Sequence, residues 1–274
     1  MSFGLSAQRH FSTIRHALAV VGFAVLAGCS SKPTADPTET WSPNKIYAEA
    51  KDEAKSGAWD KAIVLYEKLE GRAAGTPLAQ QAQLEKAFAH YKANEVAQAL
   101  ATIDRFKKLH PASPGMDYSF YLQGLINFND NLGLFGFIAK QDLSERDQNA
   151  AKESFEAFKE LATRFPDSRY TPDARARMTY IVNSLAQYEV HVARYYYSRN
   201  AYVAAISRAQ IAVTDYQNVP AAEEALYIMV LSYEALGMTQ LRDDTKRVME
   251  KNYPQSEYLA RGFKAKDSPW WKIW

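Results

Sequence analysis

The chain has 274 residues, enough for one elongated repeat domain or two small globular ones. With 47% hydrophobic and 23% charged residues it can bury a core, and 12 glycines with 11 prolines are too few for a loop-rich all-β or collagen-like design. Setting aside Arg9 and Arg15, in a segment expected to be removed, 31 basic residues balance 31 acidic ones, so the pull towards polyphosphate or an anionic lipid surface is missing and nucleic acid is not expected as a partner.

A short basic stretch, Arg9, His10, Arg15 and His16, precedes an uncharged apolar run from Ala17 to Ala27. The run is shorter than the ~20 residues that cross a bilayer and ends in small residues, as a secretory signal does. It closes on Leu26-Ala27-Gly28-Cys29, and Cys29 is the single cysteine of the chain. No intrachain disulfide or cysteine-rich metal site can therefore form. The segment resembles the bacterial lipobox; the competing reading is an ordinary cleaved signal that happens to hold a cysteine. The lipobox resemblance implies that residues 1–28 are a signal peptide and that Cys29 carries a diacylglycerol and an N-acyl chain. Each buried methylene of such chains contributes about 0.8 kcal/mol to anchoring. Ser30, where an inner-membrane retention signal would place Asp, implies an outer-membrane destination on the periplasmic face. Residues 29–43 are rich in Ser, Thr and Pro and are expected to form a disordered tether.

From Asn44 the apolar residues recur at helical spacing, and the period predicts helices with no strands. Breakers arrive regularly. Phe165-Pro166-Asp167-Ser168-Arg169-Tyr170 and Tyr253-Pro254-Gln255-Ser256-Glu257-Tyr258 repeat one signal, and His110-Pro111-Ala112-Ser113 is a weaker copy. The residue before proline is pushed out of the α region, so each copy closes a helix. The turn after the first unit, Glu70 to Thr76, lacks this signal. A second signal is a short polar turn leading into a helix with small residues inside: Gly57 to Ile63, Asn94 to Leu100 and Asn200 to Ile206. Ala62 and Ala99 allow close helix approach, with Tyr66 and Ile103 filling the gap four residues later. This resembles the tetratricopeptide repeat of about 34 residues. The expected fold is all-α, an α-solenoid of about five helix–turn–helix units spanning 44–258: Asn44–Ala74, Thr76–Pro111, Asp117–Pro166, Thr171–Val219 and Pro220–Pro254. The third is stretched by Asn129 to Asp147. The fourth opens on Thr171-Pro172-Asp173, read as an N-cap and first-turn proline. Residues 259–274 form a Trp-rich tail. Arrays of this kind build curved binding surfaces.

No catalytic constellation can be found. The histidines after Cys29 are His90, His110 and His191, and there is no His-Glu-x-x-His helix, phosphate loop or nucleophile elbow. Carboxylates sit in surface patterns such as Lys51-Asp52-Glu53 and Glu156 to Lys159. The chain is expected to be no enzyme and to need no cofactor beyond the lipid. Three features could carry binding. Tyr118, Tyr121 and Phe128, with Tyr195-Tyr196-Tyr197, either fill space between helices or line a groove for a partner; His90, beside Tyr91 on its helix, is either a ligand or a satisfied interface histidine. Leu132 to Ile138, including Phe135 and Phe137, either folds back on the array or docks on a partner. Trp270-Trp271-Lys272-Ile273-Trp274 packs on protein, partner or membrane interface.

Signal, tether and repeats together resemble the BamD (ComL-like) lipoproteins of the outer-membrane β-barrel assembly machinery. The resemblance runs from about Ile46 to Tyr258. It rests on Asn44-Lys45-Ile46-Tyr47, Ala101 to Phe106, Asp117-Tyr118 with Gly124-Leu125, and Glu145-Arg146-Asp147. Most specific is Tyr188-Glu189 followed by Val192-Ala193, Tyr195-Tyr196, Arg199, Ala201, Val203-Ala204 and Arg208. It implies a scaffold that contacts a BamA-like barrel protein through its C-terminal repeats. Its N-terminal repeats would receive other assembly lipoproteins and unfolded outer-membrane protein substrates. Tyr47, Tyr91, Tyr118, Tyr121, Phe135, Phe137, Arg199 and Arg208 are the candidate contacts. Arg208 is exposed by pattern on the second helix of the fourth unit and is the candidate ionic contact to the barrel protein. Competing assignments are a pilotin-type lipoprotein for secretin assembly and a cell-wall hydrolase or its regulator.

Overall fold

A computed structural model describes residues 36–128, 145–216 and 218–265. The signal peptide, Cys29, the apolar segment with Phe135 and Phe137, and the tryptophan tail lie outside them. The chain parts into two units, one up to Ile46 and one from Tyr47 onward. In the first, residues 37–40, within the expected tether 29–43, form a turn. The Asp36 carboxylate accepts the Thr38 N–H at 2.9 Å and its hydroxyl at 2.8 Å, an aspartate turn that a short polar side chain makes locally.

The second unit is built from helices that follow one another in pairs. After α1 (Pro43–Ser56), which begins in the first unit, come α2 (Trp59–Arg72), α3 (Pro77–Lys92) and α4 (Val96–Leu109). Then follow α5 (Met116–Asn127), α6 (Glu145–Arg164), α7 (Thr171–Ser198), α8 (Tyr202–Thr214), α9 (Ala221–Ala235) and α10 (Thr239–Asn252). A short α11 (Glu257–Arg261) and a 3₁₀ turn (Gly262–Ala265) end the described chain. From α2 to α10 each helix packs on the next, and α3 also meets α5 and α7 meets α9. Neighbour-to-neighbour packing is what a solenoid requires, since each unit buries its face only on the adjoining one.

Two kinds of turn recur, and each has a local cause. In four pairs the joining residue adopts a left-handed conformation: Gly57, Asn94, Asn200 and Gly237, with φ of 82°, 64°, 60° and 71°. The next residue donates its N–H five positions back, Ala58 to Glu53, Glu95 to His90, Ala201 to Tyr196 and Met238 to Tyr233, at 2.8–3.0 Å. This αL closure satisfies carbonyls that a helix C-terminus leaves orphaned. Glycine adopts it freely and asparagine at modest cost. Replacing Asn94 by Ala should therefore cost about 1 kcal/mol, while Asn94→Gly should be neutral or slightly stabilising; urea unfolding of the three proteins measures the difference.

Between pairs, the N–H groups of Ala73, His110, Phe165 and Tyr253 donate to Leu69, Phe106, Leu161 and Met249, and all four acceptor residues are fully buried. Three residues on, Thr76, Ser113, Ser168 and Ser256 donate their N–H groups back at 3.0–3.1 Å. The first of these turns has no aromatic-Pro pair, yet its hydrogen bonding matches the others. A backbone pattern ending in Ser or Thr suffices, and proline only reinforces the stop. Thr76 caps α3, its hydroxyl accepting from the Ala79 N–H at 3.3 Å. Thr171 departs from its expected role. It is the first residue of α7, Tyr170 takes the cap position, and the Thr171 hydroxyl donates back to the Phe165 carbonyl at 2.7 Å. The carbonyl at the end of α6 competes successfully for that hydroxyl.

The small residues act as the spacing implies. Ala62, Ala99 and Ala205 are fully buried, as are Tyr66, Ile103 and Ala209 four positions later. In the third pair Gly124 takes this role, and α5 lies so close to α6 that the Ser154 hydroxyl donates to the Gly124 carbonyl at 2.8 Å.

Candidate partner-binding site

The aromatic candidates gather in two places near the N-terminal half, both built from the first helix of successive pairs. Tyr47 on α1 accepts a hydrogen bond from Gln81 on α3 at 2.5 Å, and its ring lies 6.4 Å from that of Tyr66 on α2. Lys51, one turn along α1, pairs with Glu85 on α3 at 3.2 Å. Burial first, and the Glu85 carboxylate second, push the hydroxyls of Tyr47, Tyr66 and Tyr118 above tyrosine's ordinary value. The Tyr66 hydroxyl and the Gln83 side-chain nitrogen are buried without a partner among the described residues, an arrangement that costs stability where it is not satisfied by a ligand or water.

The second gathering lies where α5 meets α7. Tyr121 stacks on Tyr170 with ring centroids 4.7 Å apart and planes 20° from parallel, and Tyr118 approaches Tyr170 at 5.3 Å. The Tyr121 hydroxyl donates to Asp173 at 2.8 Å, and Arg177 donates to the same carboxylate at 2.6 Å. Burial opposes ionisation of Asp173, but the Arg177 and Tyr121 hydrogen bonds outweigh it and hold the carboxyl below its ordinary value. Arg177 also lies 4.7 Å over the ring of Phe128, and Arg169 lies 4.7 Å over that of Tyr170. The result is a row of aromatic faces edged by guanidinium groups, a surface suited to an extended peptide with apolar or acidic side chains.

Tyr91 stands apart from both. It packs beside Phe88 at 6.3 Å against the core shared by α3, α4 and α5, where it fills space between helices. His90 is engaged by Glu95 across the turn at 2.6 Å. Among the described residues no three His, Cys, Asp or Glu side chains are grouped so as to hold a metal ion.

The C-terminal candidates separate from each other. Arg199 is exposed and lies 5.2 Å over the ring of Tyr195, itself 53% exposed. Val203, at the start of α8, is 69% exposed. Arg208 keeps a side chain that is 41% exposed, but its guanidinium also pairs at 3.2 Å with Glu189 of α7, a residue only 5% exposed. A parallel pair lies one helix on, where Glu224 of α9 accepts both Arg194 of α7 and, at 2.9 Å, the Tyr258 hydroxyl of α11.

Residues 39–249 match the family described as outer membrane lipoprotein. The chain is 46% identical to "Outer membrane protein assembly factor BamD" of Neisseria meningitidis serogroup A over 253 residues, 91% of this chain and 95% of that protein. It is 35% identical to the protein of the same name from Vibrio cholerae, covering 85% and 96%, and 33% identical to that from Xylella fastidiosa, covering 91% and 85%. The chain belongs to the BamD family of outer membrane lipoproteins.

Within a BamD-family chain the tyrosines at 47, 118 and 121 are brought into shared surfaces. Glu85, Gln81, Tyr170 and Asp173, which complete those surfaces, are not evident from spacing. The one available signal was Tyr170, the aromatic residue two places after Ser168 in the repeated turn signal. Its counterpart Tyr258 stacks in the same way, on Tyr227 with rings 5.6 Å apart. Among the described residues no helix is long and apolar enough to cross a membrane.

Proposed function

We propose that this chain is a non-catalytic scaffold for assembly of outer-membrane β-barrel proteins, held at the periplasmic face of the outer membrane by lipid on Cys29. The observation that carries the proposal is a 46% identity with a BamD assembly factor, running over 91% of this chain and 95% of that protein. The surfaces support a division of work. The tyrosines grouped about Glu85, and the Tyr118–Tyr170–Tyr121 row, suit extended segments of unfolded outer-membrane proteins or of other assembly lipoproteins. Tyr195 in the last turn of α7, Arg199 just after it and Val203 at the start of α8 are exposed, and tyrosine and arginine are the residues that binding centres favour. They are assigned to a BamA-like barrel protein.

The test is affinity recovery of the full lipid-anchored chain from gently solubilised envelopes, comparing wild type with a Tyr195→Ser/Arg199→Glu double variant. Both side chains project from the surface, so the fold should be unaffected. A large β-barrel protein recovered by wild type should drop at least fivefold with the variant, as truncation of central aromatic and arginine contacts typically costs more than ~1 kcal/mol. Undiminished recovery would keep the scaffold and discard this surface. A secretin recovered in place of a barrel assembly protein would transfer the chain to the pilotin class.

A further inference from the structure

A cleft opens on the flank of α7 that faces away from the tyrosine row. Asp173, Arg177 and Tyr180 turn towards Tyr121 and Phe128. At 3.6 residues per turn, positions 175, 178, 179, 182 and 183 fall on the other side of the helix. There α7, Phe155 of α6 and the turn between α8 and α9 bound a cavity of about 450 Å³, inside the ~300–1,000 Å³ usual for ligand pockets.

The floor of the cleft is apolar and held in place from behind. Phe155 and Met178 pack against the core beneath α5, α6 and α7, and Val182 packs on the cluster of Ala186, Val219 and Ala222. The far wall is the turn itself. Val219 is 5% exposed and its carbonyl accepts the Ala222 N–H at 3.2 Å, while Asn218 takes a left-handed φ of 59° that asparagine tolerates. A cavity whose walls are already fixed loses little order when it is filled.

The rim carries polar groups that the fold leaves unused. Arg177 is engaged by Asp173 at 2.6 Å, and the Thr179 hydroxyl donates back to the Arg175 carbonyl at 3.1 Å. The Arg175 guanidinium and the side-chain amides of Asn183 and Asn218, in contrast, have no hydrogen-bond or ion-pair partner among the described residues. From Arg175 to Asn183 is about 12 Å along the helix, the length of roughly four residues of extended chain. A guanidinium takes a carboxylate on two N–H groups, and an asparagine amide both donates to and accepts from a peptide group. Met178 and Val182 lie between these two ends, where an apolar side chain would enter.

We propose that this cleft is a binding site for an extended peptide segment in which an acidic side chain stands two residues from an apolar one. Arg175 takes the carboxylate, the floor of Phe155, Met178 and Val182 takes the apolar side chain, and Asn183 with Asn218 holds the peptide backbone. The site shares no residue with the surface assigned to the barrel protein or with the two tyrosine surfaces.

Methyl NMR of the full chain in detergent tests this with the capped peptide acetyl-Glu-Ser-Leu-Ser-amide, whose sole carboxylate is the glutamate side chain. Titration should shift the methyl signals of Met178, Val182 and Val219 to saturation. The same peptide with Gln in place of Glu should bind at least fivefold more weakly. Arg175→Gln should abolish that preference while leaving affinity for the Gln peptide and the melting temperature unchanged, and Asn183→Leu should weaken both peptides alike. Absence of a saturable shift at these methyls overturns the proposal. Equal affinity of the wild type for the two peptides also overturns it, by making the cleft an apolar pocket that does not read charge. Either failure would leave the barrel-assembly assignment untouched, because that is read from recovery through Tyr195 and Arg199.

Discussion

Arg208→Glu should destabilise the chain by about 3 kcal/mol, and its largest effect should be on folding rather than on binding. Glu189, only 5% exposed, has the Arg208 guanidinium at 3.2 Å as its neutralising partner. Removing one member of such a pair strands a charge away from water, which costs ~3–5 kcal/mol when both are buried. The Arg208 side chain is 41% exposed, so solvent already shares in screening the pair and the lower end applies. Reversal to Glu adds repulsion between two carboxylates at the same site. Equilibrium urea unfolding measures the loss as a lower midpoint, and the exchanged pair Glu189→Arg/Arg208→Glu should recover part of it. A midpoint unchanged in Arg208→Glu would mean that the ion pair contributes nothing to the fold. The consequence for function is practical. Lower recovery of a partner by Arg208→Glu cannot separate a lost contact from a weakened α7–α8 packing, whereas Arg199→Glu can.

Arg208 also illustrates what the sequence makes legible. The helical period places it three residues after Ala205 and four before Ala212, at the edge of the buried face of α8 and not opposite it, so its own helix already leaves it beside a neighbour. What lies opposite is decided by α7, which runs 28 residues to Ser198 and brings Glu189 beneath it. Period and spacing describe one helix at a time. The helix pairs and both kinds of turn were accessible for the same reason: Gly57, Asn94 and Asn200, and the Pro-x-Ser signals, act within six residues of chain. The two tyrosine surfaces were half accessible. Tyr118 and Tyr121 stand out as aromatic residues on one helix, and Tyr47 through the family resemblance, but Glu85 and Asp173 look like any solvated carboxylate until α1, α3, α5 and α7 are folded. Thr171 misled because the cap preference of threonine is correct in general and was overridden by the Phe165 carbonyl nearby.

Gly124→Ala should cost about 2 kcal/mol, although alanine is the better helix former by ~1 kcal/mol. Gly124 lies inside α5, and a methyl group there would meet the ring of Phe158, with its Cζ at 2.7 Å. That is well inside van der Waals contact. The ring cannot yield cheaply, because Phe158 is fully buried and packed among Met116, Phe120, Leu161, Ala174 and Ile181. Nor can α5 simply move off, since the Ser154 hydroxyl holds the Gly124 carbonyl at 2.8 Å. Overpacking a filled core costs ~1–3 kcal/mol, and with the strain borne at once by a ring and by the hydrogen bond from the Ser154 hydroxyl it exceeds the gain in propensity. A double-mutant cycle isolates the clash: Phe158→Leu alone destabilises by leaving space unfilled, but should make Gly124→Ala nearly neutral or favourable. Additive losses in the double variant would show that the glycine is required for something other than the approach of Phe158. If the coupling is found, the closeness of α5 and α6 is set by this one contact. Those helices flank the segment 129–144 and carry Tyr118, Tyr121 and Phe128, so the same glycine then fixes how far the row of aromatic faces stands from α6.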